Sequence, residues 1–133
     1  MTKEQLKEYF WIQKNIEKLE QQIEELHAIA TKQTTQIKGD ADAIHGKGYS
    51  DRQGDVLAEL ADLQAELQKE LQKAFRAQLK IEQAIKDLPE REKYLIRARY
   101  IDMETWEQIA VEMGYSWKQV HRIHAKALQE LAS

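Results

Sequence analysis

From Tyr9 to Ala30 the apolar positions recur without a break at spacings of three and four residues: Tyr9, Ile12, Ile16, Leu19, Ile23, Leu26 and Ala30. A stripe of that period predicts one long amphipathic helix with a coiled-coil-like seam. A second seam is predicted through Leu57, Leu60, Gln64, Leu67, Leu71, Ala74, Gln78, Ile81, Ile85 and Leu88. Each helix would run for roughly 30 to 37 residues, or about 45 to 55 Å at 1.5 Å per residue. Matched lengths predict an antiparallel hairpin, with the Gly- and Asp-rich connector IKGDADAIHGKGYSD as its turn. Gln64 and Gln78 interrupt the second seam. Such residues either fix register or oligomer state, or lie at the seam edge while Leu63 or Leu79 takes over the packing.

After Leu88 the long seams stop and short helices begin. Proline disfavours helix in the residue before it and fits the first turn of the helix that follows, so Leu88-Pro89 marks a start. Glu90 and Glu92 suit the positive end of that helix. Leu95, Ala98 and Ile101 give it one apolar face, and it is expected to end near Asp102 and Met103. A second helix runs from Thr105 through Trp106, Ile109, Ala110 and Met113 to Gly114, which is placed as the left-handed residue after a helix. A third starts at Ser116 and buries Val120, Ile123, Ala127, Leu128 and Leu131.

Four positions carry Ser or Thr with Gln three residues on: Thr2 with Gln5, Ser50 with Gln53, Thr105 with Gln108, and Ser116 with Gln119. Each is a potential capping box, in which hydroxyl and amide each satisfy one orphan N–H. The stretches GYSDRQ and GYSWKQ are near copies, and both are predicted to start helices. The last two helices have the spacing of a helix-turn-helix: a small Ala110 at the crossing, Gly114 in the turn, Val120 and Ile123 locking the second helix. A purely structural three-helix bundle would share that core.

Composition narrows the class. A length of 133 residues allows one compact domain or two small modules. With 32% charged residues and one proline, the composition is that of a mostly helical protein. The absence of cysteine excludes disulfides and thiolate metal sites and suits a reducing cytoplasm. No apolar run approaches the ~20 residues of a membrane span, and no signal-peptide pattern is present. The expectation is a soluble, cytoplasmic, non-enzymatic protein with no cofactor and no metal.

The net charge of −3 sits entirely in residues 39 to 88, while the segments on either side are balanced. Past Met113 the balance turns basic, with Lys118, Arg122 and Lys126 against Glu130. If the third short helix enters a major groove, Trp117, Lys118, His121 and Arg122 lie on its outer face near the amino-terminal end. Arg122 is the candidate for bidentate contact with guanine, and Lys118 for a base or a phosphate. The Ser116 end of the helix can receive a phosphate. Trp117 either touches DNA or packs on Trp106 or Tyr115. Arg97 and Arg99 are candidates for backbone phosphates, or plain solvated charges. His121 and His124 stand three apart, but without a third ligand nearby the simpler assignment has His121 facing DNA and His124 at a helix edge.

The segment LPEREKYLIRARYIDMETWEQIAVEMGYSWKQVHRIHAKALQEL, Leu88 to Leu131, resembles region 4 of sigma-70-type factors. The likeness rests on LPERE, TWEQIA and above all IHAKALQEL, and in that family the domain recognises the −35 promoter element. Across its whole length the chain is similar to small prophage proteins of Gram-positive bacteria and to phage late-gene activators of the ArpU and RinA kind. The resemblance implies DNA contact from Ser116, Trp117, Lys118, His121 and Arg122, and a host RNA polymerase as a further partner. No segment resembles the sigma region that reads the −10 element, so a complete sigma factor is not expected.

The expected architecture is all-α: a long antiparallel helical hairpin, residues 1–88, serving as oligomerisation or partner arm, then a three-helix helix-turn-helix module, residues 89–133. The expected function is sequence-specific binding of double-stranded DNA in phage transcription, as a homodimer joined through residues 1–88. Two recognition helices would then meet half-sites about 34 Å apart, or a multiple of that. The rival readings are a small terminase-like packaging subunit and a non-DNA-binding protein that contacts polymerase or a repressor.

Overall fold

The computed structural model describes residues 1–39 and 47–133, with side chains for 1–32 and 52–133. Among the described residues every regular element is helical, as the pattern predicts: α1 (Lys3–Gly39), α2 (Lys47–Ile85), α3 (Glu90–Ile96), a π turn (Arg97–Ile101), α4 (Trp106–Met113) and α5 (Trp117–Ala132). Residues 40–46 of the predicted connector lie outside the described residues, and helix takes up the rest of it on either side. The chain forms two compact units, one made of Met1–Gln13 with Lys73–Ser133 and the other of Lys14–Gln72. Both long helices contribute to both units.

Thr2 caps α1 by the predicted box: its hydroxyl accepts from the Gln5 N–H at 3.3 Å, and its own N–H donates to Gln5 Oε1 at 2.8 Å. The α1 seam is as read. Tyr9, Ile12 and Ile16 are buried, Leu19, Ile23, Leu26 and Ala30 are half-buried, and a fully buried Leu6 extends the stripe by one turn.

In α2 the structure corrects two expectations. The helix begins at Lys47, so the Ser50 backbone lies inside it and not at its start. The column Leu60, Leu67, Ala74, Ile81 and Leu88 faces inward as predicted, but in the first half its companion column is Val56, Leu63 and Glu70. Leu57, Gln64 and Leu71 are exposed. The two companion columns differ by one residue, or about 100° around the helix, and α1 covers only one of them. Gln64 is thus displaced by Leu63. Gln78 stays half-buried and accepts from the Tyr9 hydroxyl at 3.5 Å, an oxygen that also accepts from Gln13 Nε2 at 2.8 Å. Tyr9 beside Gln78 in one unit, and Leu19 and Gln22 sharing a depression with Glu66 and Glu70 in the other, follow the order of an antiparallel pair.

Pro89 occupies the cap position before α3, with φ −53° and ψ 149°, one residue earlier than the first helical turn. Glu92 is then the third residue of α3, where a capping-box carboxylate would normally accept from the cap N–H. Proline has none. Glu92 is 1% exposed, and among the described residues neither carboxylate oxygen has a hydrogen-bond partner. Lys126 on α5 supplies the compensating charge, 3.7 Å away. That pairing and the positive end of α3 are what offset the desolvation of a buried carboxylate.

The first short helix does not end as a plain α-helix. From Arg97 the ladder widens to π geometry, with the Asp102 N–H donating to the Arg97 carbonyl at 2.9 Å. The chain then turns through Met103 at φ 59°. Leu95, Ile96 and Ile109 are fully buried between α3, α4 and α5, with Val120, Ala127 and Leu131 closing the core from α5. Each such Leu or Ile contributes about 1.5–3 kcal/mol through burial. The α1 end of the same unit meets α5, where the Met1 amino group donates to the Leu131 carbonyl at 2.8 Å.

Candidate nucleic-acid interface

Two capping boxes and a left-handed glycine set the geometry of α4, the turn and α5. Thr105 accepts from Gln108 N–H at 3.2 Å and Ser116 accepts from Gln119 N–H at 3.2 Å; in both, the Gln side chain returns to the cap N–H at 2.9 Å. Gly114 adopts φ 70° and ψ 30°, and the Tyr115 N–H closes the helix end on the Ala110 carbonyl at 3.1 Å. A Cβ at Gly114 would meet nothing within 4 Å, so glycine is required there for its backbone conformation and not for space. Tyr94 ties α3 to α4 by donating to Glu112 at 2.5 Å, and that bond raises its pKa to about 12.

The first two turns of α5 present Trp117, Lys118 and Arg122 to solvent. Among the described residues neither Lys118 nor Arg122 has an ion-pair or hydrogen-bond partner, so both cations are free to meet a ligand. Ser116 is exposed and its hydroxyl is engaged as a cap.

His121 is placed differently from the expectation of an open outer position. It is half-buried between two indoles, its ring centroid 4.3 Å from Trp106 and 3.9 Å from Trp117. Trp117 therefore packs on a neighbour while remaining 58% exposed, and the neighbour is His121 and not Tyr115. The Nε2 of His121 is buried and has no hydrogen-bond partner among the described residues.

The two arginines of the π turn part company. Arg97 forks onto the Glu82 carboxylate on α2, with its Nε 3.0 and 3.2 Å from the two oxygens and a second nitrogen on one of them. That hydrogen bond, followed by the charge attraction, holds the Glu82 carboxyl below its usual range. Arg99 donates to the Glu104 carbonyl at 2.9 Å and lies over the Trp106 ring, 4.5 Å from its centroid. Through Trp106 it is joined to His121 and so to the start of α5.

His124 is a correction. Instead of standing at a helix edge it is 6% exposed, stacked on Tyr100 with its Nε2 2.6 Å from the phenol oxygen. Burial, then the positive charges of Lys3, His121 and Arg99, push its pKa down to about 4, while burial raises that of Tyr100 to about 12. Both groups are neutral near pH 7, which lets the phenol donate to Nε2. The sequence signal for this was available, because His124 is four residues after Val120 and three before Ala127 on the inner face.

A cavity of about 320 Å³ opens beside this edge of α5. Lys3 and Lys7 of α1, Arg99, Trp106, His121 and His124 are among the residues that line it, and no carboxylate does among the described residues. The α1 lysines were not legible as site residues, because only folding brings them beside residues more than 90 positions away.

Residues 84–133 match the family described as Sigma-70, region 4. The chain is 32% identical over 92 residues to the RNA polymerase sigma-F factor of Bacillus licheniformis, covering 67% of this chain and 33% of that protein. It is 35% identical over 54 residues to the sigma-F factor of Bacillus subtilis (strain 168) and 33% over 54 residues to that of Priestia megaterium, in each case 41% of this chain and 21% of the relative. It therefore spans a third or less of the length of these curated relatives. No solved structure gives a match. The carboxy-terminal module is a sigma-70 region 4 domain of helix-turn-helix type, and its match begins within the last turn of α2. Among the described residues no helix is long and apolar enough to cross a membrane.

Proposed function

We propose that the chain is a sequence-specific DNA-binding regulator of phage transcription that presents the start of α5 to a major groove and contacts the host RNA polymerase. The observation that carries this reading is the pair of exposed, unpaired cations Lys118 and Arg122 on the second helix of a doubly capped helix-turn-helix, within a region 4 match. In this reading Arg122 takes a guanine edge, Lys118 a base or phosphate, and the Ser116 end of α5 a backbone phosphate. Trp117 and His121 act as one stacked unit with Trp106, bracing the helix at the DNA edge. Arg99 serves the phosphate backbone, and Arg97 does so from its fork on Glu82. Polymerase contact is suggested by the relatives, which are RNA polymerase sigma factors.

The division of labour assigns residues 1–88 to partner contact and 89–133 to DNA. Exposed Leu57, Leu71, Phe75 and Leu79 on α2 supply apolar surface for a homodimer through that arm. Selection of bound duplexes from a random pool by the full-length protein, at near-physiological salt, tests the reading. A recovered motif with two half-sites supports a dimeric regulator, and Arg122→Ala is expected to weaken that site by about 1–3 kcal/mol and relax it at one position. Recovery of no motif sinks sequence-specific binding.

A further inference from the structure

The first turns of α1 lie outside the region 4 match, yet they contribute cations to the edge of α5. Lys3, Lys7 and Trp11 follow one another at four-residue steps, a single line along one side of α1 with about 6 Å between successive members. All three are exposed and all three line the cavity that Arg99 and His121 share. The acids of the same segment, Glu4 and Glu8, are rotated off that line, and Glu8 borders a separate depression with Lys73 and Lys80. A segment that is neutral in sum is therefore sorted by the helix into a cationic side and an acidic side.

Among the described residues neither Lys3 nor Lys7 has an ion-pair partner. Arg99 spends a nitrogen on a carbonyl, which leaves its charge uncompensated, and it presents that charge over Trp106. The depressed pKa of His124 has Lys3 and Arg99 among its causes, so their fields reach the cavity wall. Three cations with no carboxylate among them call for an anion. The lysines stand at the solvent mouth, and His121 in the same lining is one residue from Arg122 and three from Lys118, so the cationic edge continues the face assigned to DNA.

We propose that Lys3 and Lys7 of α1, together with Arg99, form a phosphate-gripping edge that holds the DNA backbone flanking the groove entered by α5. The first turns of α1 then belong to the DNA-binding surface, and the functional unit is larger than the region 4 module. This rests on the DNA-binding reading above, and the test separates the two.

The measurement is the affinity of full-length protein, wild type and Lys3→Ala/Lys7→Ala, for the selected duplex and for a scrambled one, across a salt series. Each phosphate contact contributes about 0.9 to the slope of log affinity against log salt, so the double variant is expected to show a slope shallower by about 2. Weakening should be equal on both duplexes, leaving the preference between them unchanged, whereas Arg122→Ala changes the preference. The charge-conserving Lys3→Arg/Lys7→Arg should keep the wild-type slope, and circular dichroism checks that each variant retains its helices. An unchanged slope in the alanine variant, with wild-type protein binding the selected site, overturns the α1 edge alone. If inorganic phosphate then still raises the wild-type melting temperature and not the variant's, the cavity belongs to a small anion. Wild-type protein that binds neither duplex overturns the DNA-binding reading as well.

Discussion

Residues 14–72 and the unit formed by 1–13 with 73–133 use similar apolar side chains to opposite effect. In the first, among the described residues, only Ile16 and Leu60 are buried, and Leu19, Ile23, Leu26, Leu63 and Leu67 remain half-exposed. Two helices meeting along one line cannot surround a side chain, however regular the seam. In the second, α3, α4 and α5 join the ends of the long helices, and Leu6, Ile81, Leu95, Ile96 and Ile109 are sealed from solvent. Heptad regularity reports periodicity, while depth of burial comes from having a third element to close the gap. The second unit also buries polar groups, Glu92 and His124, each with a partner from another helical segment.

The widest gap between the two regions should appear in core truncations. Leu95→Ala is expected to cost about 2–5 kcal/mol in denaturant unfolding, and Leu67→Ala, with less area to lose, about 1 kcal/mol. Equal costs would break the contrast. Acid should act on the second unit next. With His124 held near pKa 4 when folded and near 6.5 when unfolded, the unfolded chain binds the extra proton between those values, so stability rises with pH across that window. The contribution is complete above about pH 6.5, falls away toward pH 4, and amounts to about 3 kcal/mol. Thermal melts of wild type and His124→Gln at pH 4.5 and 7 check it: the variant should lose less stability on acidification, and parallel losses would mean that His124 is not held neutral. The smallest effect compares the twin GYS stretches. Ser116→Ala removes a cap and should cost about 1 kcal/mol, whereas Ser50→Ala, inside α2, should change stability by less than about 0.5 kcal/mol.

Local chemistry was the legible part of this fold. Three capping boxes, the left-handed Gly114 and the α1 seam could be read because each depends on residues within about one turn of one another. The α2 seam was half legible. Both companion columns are spaced by seven and each holds two apolar residues and one polar one, Leu57, Gln64 and Leu71 against Val56, Leu63 and Glu70, so only the partner helix decides between them. Ser50 has the letters of a cap, but helical backbone reaches back to Lys47. The π turn at Arg97 carries no proline or glycine to announce it, and it is what separates Arg97 on Glu82 from Arg99 on Trp106. Trp117, Lys118 and Arg122 stand exposed as the helical period indicated, whereas the place of His121 between two indoles needed α4 to be present.

The stack of Trp106, His121 and Trp117 also gives the molecule an optical reporter. The chain has three tryptophans; Trp11 and Trp106 line the cavity, Trp117 caps the imidazole beside it, and residues 14–72 contain none. Tryptophan fluorescence, selectively excited, therefore arises at the edge where α1, α4 and α5 come together. Any ligand that parts His121 from the indoles changes the tryptophan emission without a label, while events confined to residues 14–72 leave it unchanged.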